Sequence, residues 1–184
     1  MLQALGKFAM RLTGWRVAGS LPGIPKFVLI VAPHTSNWDF PVGVMAMFAL
    51  DLDAHWLAKD SIFREPFGMV LRALGGRPVF RESREGLVAG AAAMIRAEPQ
   101  FVLALAPEGT RRQVEGFKSG FYHMAVAAGV PIVPVRFDYA RQEVGIGATF
   151  TPTGNATGDI AHLQSLYSPA MARHPSQFWS GGAE

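Results

Sequence analysis

The sequence predicts a single α/β domain, with a largely parallel or mixed central sheet flanked by helices and an amphipathic helix at the N-terminus. Three observations carry this expectation. Phe27-Val28-Leu29-Ile30-Val31-Ala32 and Phe101-Val102-Leu103-Ala104-Leu105-Ala106 are continuous apolar runs, each stopped by proline, as parallel strands buried on both faces require. Segments of helical density lie between them, which suits crossovers rather than hairpins. The chain of 184 residues, 49% hydrophobic, can bury one good core, and no repeat, low-complexity tract or long linker divides it, so 1–184 reads as one domain.

Composition narrows the chemistry. Cysteine is absent, which excludes disulfides, thiolate metal sites and cysteine nucleophiles. The five histidines, His34, His55, His123, His162 and His174, lack metal-ligand spacing, so neither a metal nor a resident cofactor is expected. No apolar run approaches the roughly 20 residues of a spanning helix. The chain is therefore expected to be cytoplasmic and soluble or peripheral, a short form without a transmembrane anchor. Its mean hydropathy of +0.19 nonetheless suggests extra apolar surface.

Taken in order, residues 1–16 place Leu2, Leu5, Phe8, Leu12 and Trp15 at three- and four-residue steps beside Lys7 and Arg11. Residues 1–26 hold four cations, Lys7, Arg11, Arg16 and Lys26, and no acid, within an overall charge of +3. Two readings fit: a helix packed on its own domain, or one lying in a membrane interface where apolar burial and anionic lipid act together. Nucleic-acid binding is not expected, because no basic stripe with interleaved aromatics follows.

The run 27–32 opens onto Pro33-His34-Thr35-Ser36-Asn37-Trp38-Asp39. Ser36 and Asp39 have capping-box spacing, so a helix starts near Asn37 and continues to Leu50. His34 then sits at the carboxyl end of a strand, where α/β proteins place their sites. Asp39 is either a first-turn acid suited to the helix dipole or a carboxylate that fixes the tautomer of His34, freeing the other ring nitrogen to take a proton.

Ala54 to Lys59 reads as a strand, Asp60 to Pro66 as a loop, and Phe67 to Leu74 as a short helix closed by Gly75-Gly76. Arg77 to Arg81 follows as an extended piece that Pro78 confines to an edge or a strand start. Arg77, Arg81 and Arg84 form either a solvated charged face or a phosphate clamp. Glu85 to Ala97 is an alanine-rich helix. The second apolar run opens onto Pro107-Glu108-Gly109-Thr110-Arg111, repeating the logic of the first, and if both strands are parallel in one sheet His34 faces Glu108 to Arg111. Phe117 to Phe121 leads into a helix ending near Gly129. Val130-Pro131-Ile132-Val133-Pro134-Val135 is a strand whose prolines suggest an edge or a wall. Gln142 to Thr151 is further extended chain, Thr157 starts a last helix through about Ala172, and the tail from His174 reads as loose.

Two boxes at this separation and in this order resemble those of the glycerolipid acyltransferase family, the lysophosphatidate acyltransferase-like enzymes. His34-Thr35-Ser36-Asn37-Trp38-Asp39 is similar to its His-x4-Asp box, and Pro107-Glu108-Gly109-Thr110-Arg111 matches its second box in every residue. Gly75 to Arg81 resembles the arginine-bearing box, with Pro78 where an aromatic is usual, and Val130 to Val135 the proline-containing wall, so the resemblance covers 27–136. It implies transfer of a fatty acyl group from a thioester, acyl-CoA or acyl carrier protein, to a hydroxyl of a lysophospholipid such as 1-acylglycerol 3-phosphate. It further implies His34 as general base, Asp39 as its orienter, Arg81 and Arg111 as phosphate ligands, Glu108, Gly109 and Thr110 as the walls of that pocket, and Lys118 as an accessory cation. A lipid or thioester hydrolase using the same pair, and a noncatalytic lipid-surface module, are the alternatives. The membrane surface, reached through the N-terminal helix, is the expected partner.

Overall fold

The computed structural model describes residues 1–79, 84–179 and 181, without the side chain of Arg84. Arg81, one of the expected phosphate ligands, lies outside the described residues.

Helix α1 (Leu2–Leu12) leads through β1 (Arg16–Ala18) to β2 (Lys26–Ala32), α2 (Asp39–Leu50) and β3 (Ala54–Lys59). There follow α3 (Phe67–Ala73), β4 (Gly76–Val79), α4 (Arg84–Ala97), β5 (Phe101–Leu105), α5 (Gly120–Ala128), β6 (Ile132–Asp138), β7 (Glu143–Ile146) and α6 (Ala156–Ser165). The strands form a seven-stranded sheet in the order β1-β7-β6-β2-β5-β3-β4. Only the β6–β7 pair is antiparallel, so the sheet is mixed, with its most apolar strands at the centre.

β2 and β5 are neighbours, with Ile30 opposite Leu105, and both run toward the same edge. Their outgoing helices part. Val42, Ala46 and Ala49 of α2 pack with Phe27, Leu29, Val133 and Val135 on one face, while Phe121, Met124 and Ala125 of α5 pack with Val28, Ile30, Leu103 and Ile132 on the other. Divergence of two adjacent connections opens a crevice beyond the strand ends, the usual position of a ligand in an open α/β sheet. Ala32-Pro33-His34 and Ala106-Pro107-Glu108 enter it side by side.

Four expectations change. β6 is interior, bonded to β2 and β7 on its two sides, rather than an edge. The sheet tolerates Pro134 because its missing N–H falls in a break of the neighbouring chain: β7 ends at Ile146, Gly147 N–H donates to the Pro134 carbonyl, and regular pairing resumes only with Ile132 and Phe150. The last helix stops at Ser165 instead of continuing to Ala172, with Pro169 starting a separate 3-10 turn. The tail is not loose, since Phe178 and Trp179 are buried against Ala32, Ala172 and Tyr167.

The fourth change concerns α1. Its buried residues are Gly6 and Met10, and a Cβ on Gly6 would come within 2.4 Å of the Ala49 nitrogen, so the helix rests on α2 by its smallest side chain. Leu2, Leu5, Phe8 and Leu12 are left 54 to 75% exposed. Trp15 leaves that stripe because the helix ends at Leu12 and Gly14, at φ +78°, turns the chain so that the indole is buried against Tyr139.

Candidate active site

His34 follows β2 after Pro33, and its backbone N–H donates to Glu108 Oε1 at 2.8 Å, a bond that joins the two boxes. Its Nδ1 lies 3.0 Å from Asp39 Oδ2, with the Asp39 side chain buried and the imidazole partly open. The S-x-x-D spacing forms half of the expected box: Ser36 N–H donates to Asp39 Oδ2 at 2.9 Å, but Ser36 Oγ accepts from Trp38 N–H at 3.2 Å rather than from Asp39 N–H, and Trp38 stands at the N-cap. The helix itself begins at Asp39 rather than at Asn37. Asp39 thus meets both sequence readings at once, as a first-turn acid and as the partner of His34.

Tyr139 completes the carboxylate's surroundings, its O–H donating to Asp39 Oδ1 at 2.6 Å. Burial, then the bond to Asp39, pushes the phenol well above its ordinary pKa, so it remains a donor throughout the working range. A carboxylate held by a backbone N–H, a phenol and an imidazole N–H cannot rotate freely, and its acceptance from Nδ1 leaves Nε2 as the basic nitrogen. Sequence reasoning missed Tyr139. It stands 100 residues from Asp39, beyond a strand whose other members are explained by packing, and carries no local motif.

The second box divides. Glu108 is 4% exposed and does not line the cleft; Oε1 is taken by the His34 N–H and Oε2 is buried without a hydrogen-bond partner. Burial, only partly offset by that N–H, raises its pKa to about 7. Gly109, at φ +67°, turns the loop, and a Cβ there would stand 3.2 Å from Lys118 Cδ and Nζ. Thr110 Oγ1 accepts from the Arg112 N–H at 3.3 Å. Gly109, Thr110, Arg111 and Lys118 line the cleft with His34 and Asp39, and Lys59 and Arg112 add two cations that sequence reasoning did not select.

The cleft has a volume of about 1280 Å³. That exceeds the ~300–1,000 Å³ of most small-molecule pockets. Its lining mixes apolar side chains, among them Val44, Met47, Trp56, Leu57, Leu71 and Met124, with the cations Lys59, Arg111, Arg112 and Lys118. Such a site offers apolar contact and positive charge within reach of one base. Among the described residues no cluster of histidine and carboxylates could hold a metal ion.

The family pattern described as Acyltransferase matches residues 23–138. The 1-acyl-sn-glycerol-3-phosphate acyltransferase of Salmonella typhimurium is 31% identical over 124 residues, covering 64% of this chain and 49% of that protein. The enzyme of the same description from Escherichia coli K12 is 30% identical over 113 residues, covering 58% and 45%. The chain therefore spans about half the length of the curated relatives it matches. The crystal structure of the 1-acyl-sn-glycerophosphate acyltransferase PlsC from Thermotoga maritima shares the fold, with a TM-score of 0.62 and 21% identity over 90% of this chain and 74% of that one. With both boxes inside the matched segment and joined by the His34 N–H to Glu108 at one sheet edge, the chain belongs to the acyltransferase family.

Proposed function

We propose that this protein transfers a fatty acyl group from a thioester, acyl-CoA or acyl carrier protein, to a hydroxyl of a lysophospholipid, most simply 1-acylglycerol 3-phosphate. The observation that carries the reading is the buried Asp39 carboxylate fixed on His34 Nδ1 in a cleft lined by both apolar side chains and cations. His34 Nε2 takes the acceptor's hydroxyl proton as the oxygen attacks the thioester carbonyl. The tetrahedral adduct collapses, the C–S bond breaks, and the imidazolium returns the proton to the thiolate. Asp39 steadies the imidazolium without taking its proton. Arg111 meets the acceptor phosphate through its planar donor fork, with Lys118 beside Gly109 as a further cation. Gly109 and Thr110 shape the loop that presents them, and Arg81 remains the candidate second phosphate ligand.

The acceptor is a lipid, so the protein works at a membrane surface. The exposed Leu2, Leu5, Phe8 and Leu12 of α1, flanked by exposed Lys7 and Arg11, support peripheral attachment there. Among the described residues no helix is long and apolar enough to cross a membrane.

The test is thiol release by the purified protein with acyl thioester, with and without a lysophospholipid. Acyl transfer requires release to rise with acceptor and the acylated lipid to appear in equal amount. Acceptor-independent release identifies a hydrolase, and no release with any donor and acceptor leaves a lipid-surface module.

A further inference from the structure

The C-terminal strap, residues 168–179, lies outside the segment matched by the family pattern and crosses behind both boxes. Phe178 and Trp179 pin it, stacked on one another at 3.8 Å and, with Tyr167, buried against Ala32. Contacts from His174, Arg173 and Gln177 reach the site. His174 N–H donates to Thr35 Oγ1 at 3.2 Å. The Arg173 guanidinium lies over the rings of Trp38 and Tyr139, 5.3 and 5.6 Å from their centroids, so the strap also touches the phenol that holds Asp39. With its amide nitrogen turned toward the chain, Gln177 donates to the Thr35 carbonyl at 2.7 Å and to the Arg111 carbonyl at 2.9 Å.

We propose that Gln177 is a positioning residue, which sets the separation between the base on the first box and the cation on the second for a phosphate-bearing acceptor. The inference rests on the acyltransferase reading above. Thr35 follows the base His34, and Arg111 is the cleft cation on the other loop. One acceptor must present a hydroxyl to Nε2 and a phosphate to the guanidinium at once, so the distance between loops matters to that substrate in particular. Glu108 ties the loops through the His34 N–H, and Gln177 ties them again at the next residue, through carbonyls. An amide is the only uncharged side-chain group with two N–H donors on one nitrogen, which is what two converging carbonyls need.

The experiment compares wild type with Gln177→Leu and Gln177→Glu on two acceptors that differ only in phosphate, 1-acylglycerol 3-phosphate and 1-acylglycerol. Loss of two neutral hydrogen bonds should lower kcat/KM of Gln177→Leu on the phosphate acceptor about tenfold. On the phosphate-free acceptor the change should stay within about twofold. Gln177→Glu sets a carboxylate against two carbonyls and should lose at least as much on the phosphate acceptor as Gln177→Leu does. Equal losses on both acceptors would assign Gln177 to general stability and overturn the proposal. Amide hydrogen exchange tests the tie without turnover: in Gln177→Leu, exchange should quicken at 34–37 and 110–113 while β2 and β5 keep their protection. Unchanged exchange in those loops overturns the proposal even in an active enzyme. Absence of wild-type turnover on either acceptor overturns the acyltransferase reading, and the exchange result still decides whether Gln177 holds the loops together.

Discussion

Tyr139 and Glu108 support the His34–Asp39 pair from two sides, and their removal should have different signatures. Tyr139→Phe leaves Asp39 Oδ1 buried without its phenolic donor, at a cost of about 1–3 kcal/mol in stability. The imidazole keeps its partner on Oδ2, so turnover should fall about tenfold, well short of the ~10²–10⁴ of a lost base. Chemical denaturation and steady-state thiol release on the same preparation measure both. Glu108 makes stability depend on pH. Its pKa is raised by folding from the ordinary 4.5 to about 7, so the folded state holds the proton that the unfolded state releases. The contribution is therefore complete below about 4.5 and is lost as pH rises toward and through 7, at most about 3 kcal/mol. Glu108→Gln keeps an oxygen for the His34 N–H and abolishes the titration. Its melting temperature relative to wild type should climb between pH 5 and pH 8, and a constant difference would mean that Glu108 does not titrate there.

Elements place these residues, and α1 packs on its own domain by one face while leaving its larger apolar side chains on another. Gly6 and Met10 face α2, which lets the helix settle closely on the domain, and the larger apolar residues point away from it. A helix that kept its stripe for its own core would have buried Leu5 and Phe8. Near an anionic leaflet each cation contributes about 1 kcal/mol, so Lys7 and Arg11 should make binding salt-sensitive. In co-sedimentation with anionic vesicles, Lys7→Glu combined with Arg11→Glu should leave most of the protein in the supernatant at low salt. Turnover of a detergent-dispersed acceptor should be unaffected, because neither residue lines the cleft. Pelleting equal to wild type would place the membrane contact elsewhere, the exposed Phe67, Met69 and Val70 of α3 being another apolar patch.

Over the whole molecule, the legible features were those written locally. Two apolar runs stopped by proline gave β2 and β5, and their shared direction brought His34 and Glu108 together. The spacing of Ser36 and Asp39 placed the Asp39 carboxylate on the Ser36 N–H, one of the two bonds of a capping box. What escaped was long-range. Tyr139 and Gln177 reach the site from 100 and more than 140 residues away along the chain, and neither position carries a periodicity or motif. Pro134 misled because proline marks an edge only when the neighbouring strand is unbroken, and the break after Ile146 cannot be read from β6 itself. The Leu-Phe stripe of α1 was correctly recognised as amphipathic, but sequence cannot say which face a helix turns to its own domain when the other face offers a glycine.

In the proposed reaction His34, aimed by Asp39, removes the proton from the acceptor hydroxyl. The most direct measurement is acceptor-dependent thiol release by His34→Ala beside wild type, with circular dichroism and melting temperature confirming that both are folded. The imidazole lies at the cleft, and without it Asp39 keeps the Ser36 N–H and the Tyr139 hydroxyl as donors, so the variant should fold normally. Its kcat should fall by about 10² to 10⁴. A folded His34→Ala within a few-fold of wild type would contradict it.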